Sequence, residues 1–276
     1  MQLKTVFKIL KRILFCAAII VLLIFAISWI NIAKIPQEKP KNGLRILSMN
    51  VAAGNYLSNS LQAEIIGSQS DVIVLIEWTG NNINLDSFKR NGYKVLLDHP
   101  RKKVHGLCVL SKLDGVSAII ESTIETPCTL PIGQIRFHWK GQNISLFAIH
   151  APPPVPACKG TTNEYIEAIT EWIENGKLTK DIGIGKQNDL AIFAGDFNSF
   201  YFDKGIRKLK SKKLYDAFGK FPIFSQTWKP FTWSPHIARI DYILAPEKFV
   251  VDNTYRFFIP HSDHLGIIAD FTLVEK

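Results

Sequence analysis

Asp189-Leu190-Ala191-Ile192-Phe193-Ala194-Gly195-Asp196-Phe197-Asn198-Ser199 joins a short apolar run to a turn that carries a carboxylate and a carboxamide two residues apart. The apolar part, residues 189–193, reads as a buried strand, so Asp196 and Asn198 emerge where that strand stops. Gly195 admits a positive φ or a close backbone approach. Asx side chains also bond their own backbone in turns, so taken alone the segment reads equally as a polar loop. The neighbouring segments decide between the two.

On the N-terminal side, Ile132–Trp139 and Asn143–His150 flank Lys140-Gly141-Gln142 and read as a hairpin whose paired residue numbers sum to about 282, with His150 opposite Ile132. The proline-rich run Ala151 to Pro156 then prevents the sheet from continuing. Further upstream, Leu44–Val51 has strand character, Leu57, Leu61, Ile65 and Ile66 share a helical face with Asn59 and Gln62 as a capping pair, and Asp71–Glu77 is another apolar strand. Strand, helix, strand is an α/β beginning. Tyr93–Leu97 and Gly106–Leu110 add strands, and Asn163–Glu174 reads as a helix with Tyr165, Ile166, Ile169 and Ile173 inward. Downstream, Asp241 and His264 open strands, whereas Asn50, Glu77, His150 and Asp196 close theirs. Antiparallel neighbours would bring all six to one edge, where open α/β sheets place their sites.

Composition sets the limits around this plan. The 276 residues are 47% hydrophobic and 21% charged, enough for one large domain with a core. The net charge is +9, but residues 1–41 hold seven of the 33 Lys and Arg and one of the 24 Asp and Glu, leaving 26 against 23, or +3, elsewhere. That is no nucleic-acid footprint at the level of net charge, although the basic runs Arg101-Lys102-Lys103 and Lys204 to Lys213 remain; such runs usually form solvated faces.

Residues 13–30 are 18 positions without a charge, and as a helix they would span ~27 Å, close to a bilayer's hydrocarbon thickness. Lys4, Lys8, Lys11 and Arg12 precede this run and Trp29 lies at its far end. The expectation is a cytoplasmic basic arm (1–12), an uncleaved transmembrane anchor (13–30), a juxtamembrane linker (31–42) and an extracytoplasmic domain (43–276). A cleaved signal peptide is the alternative; the run is longer than a usual signal core, and Ala26 to Ser28 make a poor cleavage pattern. Of the four cysteines, Cys16 falls in the apolar run and Cys108 in a strand. Extending the hairpin register brings Cys128 and Cys158 to one end of the sheet, where a disulfide can form.

Ser48-Met49-Asn50-Val51, Glu77, His150, Gly195-Asp196-Phe197-Asn198, Arg239-Ile240-Asp241-Tyr242 and Ser262-Asp263-His264, in this order, resemble the endonuclease/exonuclease/phosphatase superfamily over about residues 43–275. The resemblance implies a four-layer α/β sandwich, two mixed sheets packed face to face with helices outside. His150 at its strand end matches the deoxyribonuclease and sphingomyelinase branches, and the tyrosine motif of abasic-site endonucleases is absent from the corresponding point.

The resemblance also implies roles. Glu77 and the Asn50 carbonyl, hard oxygen ligands, would hold Mg²⁺ or Mn²⁺. His264 would act as general base, oriented by Asp241 or Asp263; Asp196 and Asn198 would position water and phosphate, with Asp196 sharing the base role; and His150 would bond the phosphate or protonate the leaving group. A zinc site from His261, Asp263 and His264 competes with this set, and the hard ligands elsewhere favour magnesium. His99, His105, His138 and His236 read as surface or structural residues. The expected activity is metal-dependent phosphodiester hydrolysis on a phospholipid, a small phosphodiester or nucleic acid, with no protein partner inferred. A nonspecific endonuclease and a non-catalytic binding domain of the same fold are the alternatives.

Overall fold

In the central strands, alternate residues face opposite sides, and this sorts the apolar side chains into three separate clusters. The computed structural model describes residues 3–30, 32–101, 106–121, 131–158, 161–175, 189–219 and 225–274. One mixed sheet contains β1 (Leu44–Asn50), β2 (Val72–Ile76), β3 (Lys94–His99), β4 (Leu107–Ser111), β11 (Phe249–Phe258) and β12 (Leu265–Leu273), in the order β11-β12-β1-β2-β4-β3. The other contains β5 (Ser117–Glu121), β6 (Ile132–Trp139), β7 (Gln142–His150), β8 (Leu190–Asp196), β9 (Leu214–Asp216) and β10 (Asp241–Pro246), in the order β5-β6-β7-β8-β10-β9. β1 and β2 are parallel, as are β7 and β8, and the remaining pairs are antiparallel.

Ile46, Val74, Ile76, Leu146, Ala148, Ile192, Ala194 and Ile243 fill the space between the sheets. Their neighbours face outward. Leu47, Ile73 and Leu75 meet Leu61 and Ile65 of α2 (Asn59–Gly67) and Phe88 of α3 (Leu85–Arg90). On the far side, Phe147, Ile149 and Phe193 meet Tyr165, Ile166 and Ile169 of α4 (Thr161–Asn175) and Ile206 and Leu209 of α5 (Lys204–Ser211). Helix, sheet, sheet, helix is the expected four-layer sandwich. Ile173 lies in α4, but its side chain is outside those described.

Several local expectations shift. The hairpin closes through two residues, Lys140 (φ 47°) and Gly141 (φ 74°), so Trp139 faces Gln142, Ala148 faces Gly133, and paired numbers sum to 281. Two consecutive positive φ angles match the twist of the flanking strands, which a three-residue loop would not need. The cap of α2 is Ser58, whose side chain accepts from Leu61 N, rather than Asn59. Gln62 instead donates to Leu57 O (2.7 Å) and accepts from Asn84 N (2.8 Å), tying α2 to α3. The basic run 204–213 is α5 and its exit: Ile206 and Leu209 point inward, Lys204 pairs with Glu167 at 2.8 Å and Lys210 covers the Tyr201 ring. Arg101 is exposed, while Lys102 and Lys103 lie outside the described residues.

The N-terminal helix α1 (Leu3–Ile30) is 28 residues long and its described side chains are exposed. Among the described residues no helix is long and apolar enough to cross a membrane; the side chains at 24, 25 and 27–30 are not among them. Residues 32–42, the described part of the expected 31–42 linker, pack on the domain. Ala33 N donates to Arg256 O at 2.8 Å, Ile35 is buried, the Arg45 guanidinium donates to Pro36 O and Glu38 O, and Lys39 pairs with Asp71 at 2.8 Å. Cys158 is disulfide-bonded, whereas Cys16 and Cys108 are free; the expected partner, Cys128, lies outside the described residues.

Candidate active site

The alternation that sends Ile46, Ala148, Ile192 and Ile243 between the sheets also sends Asn50, His150, Asp196 and Asp241 there, at the end of the sandwich where the apolar filling stops. Asp196 is the hub. It pairs with His150 across parallel β7 and with Asp241 across antiparallel β10. Gly195, with φ 148°, makes the β8 end possible: a Cβ there would stand 1.9 Å from Ile149 O, so only glycine fits the close approach. The strand continues through Asp196, three residues beyond the apolar run.

Asn50 bridges the two sheets. Its Nδ2 donates to Glu77 Oε1 (2.9 Å) and to Asp196 Oδ2 (3.2 Å), while its Oδ1 accepts from Ala52 N (3.0 Å). Ile76 faces inward, so strand alternation would turn Glu77 out; its φ of 61° turns it back. Its second oxygen accepts from Ala53 N at 2.8 Å. A left-handed conformation costs a non-glycine residue of order 1 kcal/mol, and these bonds offset it.

A second bridge crosses the seam at His264. Its Nδ1 lies 2.9 Å from Asp241 Oδ2, and its Nε2 lies 3.7 Å from Asp196 Oδ2. His150 Nε2 approaches the same Asp196 oxygen at 3.9 Å. Burial is the strongest influence on Asp196 and pushes its carboxyl up to about 7, against the opposing charge of His264. Burial also disfavours charge on His264, but Asp241 and Asp196 together outweigh it and push the imidazole up to about 10. The two carboxyl groups on either side of His264 thus favour its charged form.

Asp241, rather than Asp263, meets His264; Asp263 Oδ2 accepts instead from Trp228 Nε1 at 3.0 Å. Asn198 (φ 47°) donates its backbone N–H to Asp196 Oδ1 and its Nδ2 to Ala151 O, both at 2.8 Å, which fixes the Asp196 rotamer. His261 is exposed and the three residues of the competing zinc reading form no metal-ligating group among the described residues; the group that does is Asp196, Asp241 and His264, with ligand atoms within 4.8 Å of one another. Of the histidines set aside, His99 accepts from Arg101 Nε at 2.8 Å, His138 is exposed beside Asn143, and His105 lies outside the described residues. His236 is buried, and burial with the nearby Lys229 and Arg256 charges lowers it to about 4.

Three residues support the site: Thr227 lies outside the motifs quoted from the sequence, while Ser262 and Arg239 stand in them without an assigned role. Thr227, fully buried, accepts from Ile240 N and Asp241 N at 3.2 Å each, and its carbonyl accepts from Leu265 N at 2.7 Å. One residue thereby holds the start of β10 against the start of β12, and Asp241 against His264. Ser262 Oγ donates to Asn50 O and accepts from His264 N. Arg239 is buried against Asp216, with its guanidinium 4.8 Å over the Phe218 and Tyr242 rings. No periodicity marks Thr227 or Asp216; each lies in a segment too short to show a period.

Above these groups opens a cleft of about 390 Å³, lined by Glu77, His150, Asp196, Asn198, Asp263 and His264 on its polar side. Pro153, Pro154, Val155, Phe200, Trp228 and Ile240 form the apolar side. No lysine or arginine is among the described residues that line it.

The sequence profile of the Endonuclease/Exonuclease/phosphatase family matches residues 47–264, a span that begins in β1 and ends on His264. The chain belongs to this family. An endonuclease/exonuclease/phosphatase family protein from Leptotrichia buccalis is similar in structure, with 20% identity and a TM-score of 0.60 over 83% of this chain and 100% of that one. A humanized TDP2 of D. rerio aligns at 17% identity and TM-score 0.62 (84% and 100% covered). A 3′ phosphatase, NExo from Neisseria, bound to a product DNA hairpin, aligns at 15% and 0.61 (83% and 99%). No curated protein matches the chain in sequence. At these identities the solved structures establish the fold, and the family establishes phosphoester hydrolysis with a divalent metal.

The residues present fit such a metal. Glu77 presents carboxylate oxygens beside the Asn50 amide, and oxygen ligands of this kind suit a hard cation; Asn50 turns Nδ2 toward Glu77 while its Oδ1 accepts from Ala52 N, so the expected carbonyl ligand requires that amide to turn over.

Proposed function

We propose that this family hydrolase is a Mg²⁺- or Mn²⁺-dependent phosphodiesterase, anchored in a membrane by residues 13–30, that acts on small or membrane-borne phosphodiesters. The observation that carries the reading is Asp196 Oδ2, approached by Asn50 Nδ2, His264 Nε2 and His150 Nε2 from three strands at the mouth of the cleft.

Glu77, with Asn50, would hold the ion, which when bound neutralises non-bridging phosphate oxygens. His264 is held by Asp241 through Nδ1 and turns Nε2 toward Asp196. In the proposed reaction it takes the proton of the attacking water as general base, with Asp241 stabilising the imidazolium that forms, and Asp196, whose carboxyl burial pushes up, shares the base role. His150, on the opposite side of Asp196, bonds a phosphate oxygen or protonates the leaving group, and Asn198 keeps Asp196 in position.

Two features support a small or lipid phosphodiester. The cleft's uncharged wall of prolines and aromatics suits an apolar arm, and a nuclease footprint would need cationic side chains to neutralise successive phosphates. The 18 uncharged residues behind a basic arm support the anchor and an extracytoplasmic domain, and the disulfide at Cys158 suits that compartment. A panel of bis(4-nitrophenyl) phosphate, phospholipids, phosphomonoesters, RNA and plasmid DNA tests the reading. Turnover of phosphodiesters bearing an apolar arm well above plasmid nicking is the expected result. Efficient nicking that falls steeply between roughly 50 and 200 mM salt would instead make the protein a nonspecific endonuclease.

A further inference from the structure

The segment between α1 and the domain is a strap, and where it is fastened decides which face of the sandwich meets the bilayer. Ala33 N donates to Arg256 O on β11, the edge strand of its sheet. Arg256 is level with Ile267 on β12, and Ile267 with Ser48 on β1, two residues below Asn50. The last residue of α1, Ile30, is three residues from Ala33, a reach of ~10 Å. From there the chain runs away from the site: Ile35 is buried on the outer face, Arg45 grips Pro36 O and Glu38 O, Lys39 pairs with Asp71, and Gly43 enters β1 at the opposite end. A free linker of this length would let any face turn to the membrane; a strap fastened at five points does not.

Three exposed aromatic side chains of the domain, Phe231, Trp233 and Phe258, lie at the same end. Phe258, 49% exposed, faces Leu265, the neighbour of His264. The loop between Trp228 and Ala238 is pinned by the bridges of Trp228 to Ala238 and His264, and it projects Phe231 and Trp233, 57% and 78% exposed and stacked at 5.3 Å. Lys229 of this loop lies over the Phe258 ring, which joins the two groups. None of the three aromatics lines the cleft.

We infer that the catalytic end of the domain is held face-on to the bilayer by this strap, with Phe231, Trp233 and Phe258 entering the interface, so that the substrate is a phosphoester presented by the membrane itself. This rests on the proposed hydrolase activity and anchor. Amphipathic aromatic rings favour the headgroup level, and a cleft whose apolar wall includes Trp228, at the base of the loop that carries Phe231 and Trp233, receives a lipid headgroup without the lipid leaving the bilayer.

The test uses full-length protein in vesicles of phosphatidylcholine and phosphatidylglycerol, with two readouts. Trp233 fluorescence, taken as the difference between wild type and Trp233→Phe, should be quenched by brominated acyl chains. The pair Phe231→Ser with Trp233→Ser should lower turnover of vesicle phospholipid about tenfold and leave bis(4-nitrophenyl) phosphate turnover unchanged. Absence of quenching overturns the inference whatever the activity. Unaltered lipid turnover in the double variant does so too, and so does a loss confined to single-stranded DNA cleavage, which would make the aromatics a base-stacking platform. Quenching without hydrolysis of any phosphodiester would keep the docking geometry and sink the hydrolase reading instead.

Discussion

His264 Nδ1, at the start of a strand in one sheet, lies 2.9 Å from Oδ2 of Asp241, at the start of a strand in the other. The bond crosses the seam of the sandwich where both partners are buried, so it couples the relative placement of the sheets to the charge of the site. His264→Ala is expected to lower kcat about 10²–10⁴-fold, with a smaller change in KM. Asp241→Asn should follow it, since the imidazolium loses its counter-charge, and the double variant should be little worse than the more severe single one. Losses that multiply would show that the two residues serve separate steps.

The same pair sets a pH dependence. His264 rises from 6.5 to about 10 on folding, so its stabilisation is complete below the unfolded value and is lost as pH rises through the folded one. Asp196 rises from 3.8 to about 7, so the folded state holds its proton more tightly and stability falls as pH rises between those values. Both groups therefore act in one direction. In EDTA, the urea midpoint should fall from pH 6 to pH 10, and the fall should be shallower in His264→Gln. A steeper fall in the variant would refute the charge assignment.

Much of this site was legible in the sequence because strand alternation is a strict period. Asn50, His150, Asp196 and Asp241 share the parity of Ile46, Ala148, Ile192 and Ile243, and finding the strand ends was enough to bring them together. Glu77 reaches the site only by leaving that period, through a left-handed residue that no pattern signals. The hairpin register slipped by one because Lys140 adopts a positive φ that its residue type does not announce. Pro36 to Pro40 read as a linker by composition; that Arg45 would fold back onto its carbonyls is a tertiary fact. Asp263 and Asp241 were equal candidates for His264, and Trp228 Nε1 is what separates them.

Thr227 gives a test of how the seam is held. Thr227→Val keeps the shape but removes the acceptor of two buried N–H groups, which should cost roughly 1–3 kcal/mol. Because those groups position Asp241, kcat should fall more than KM rises, and Thr227→Ser should restore both. Activity unchanged in the valine variant at a temperature where it stays folded would show that Asp241 is placed by other contacts.

Arg239 and Asp216 form a buried ion pair that the site does not touch directly. Asp216→Asn leaves the guanidinium without a counter-charge and should destabilise by about 3–5 kcal/mol, whereas Arg239→Met with Asp216→Leu should recover a large part of that loss. Chemical denaturation of the three proteins measures it. Equal stability of the single variant and the wild type would show that solvent reaches the pair.

The most direct test of the central claim is hydrolysis of bis(4-nitrophenyl) phosphate by the full-length protein as Mg²⁺ is titrated, beside Glu77→Gln and with metal binding followed by calorimetry. Glu77 accepts from Asn50 Nδ2 and from Ala53 N, so the neutral isostere keeps the shape and one acceptor, gives up the other, and loses the ligand charge; its denaturation midpoint checks that it is folded. The account predicts turnover that needs Mg²⁺ or Mn²⁺, stops with EDTA and returns with excess metal. Glu77→Gln should bind the ion more weakly and lose most of the rate even when saturated. A rate indifferent to chelator, or a wild-type rate for Glu77→Gln at saturating Mg²⁺, would contradict it.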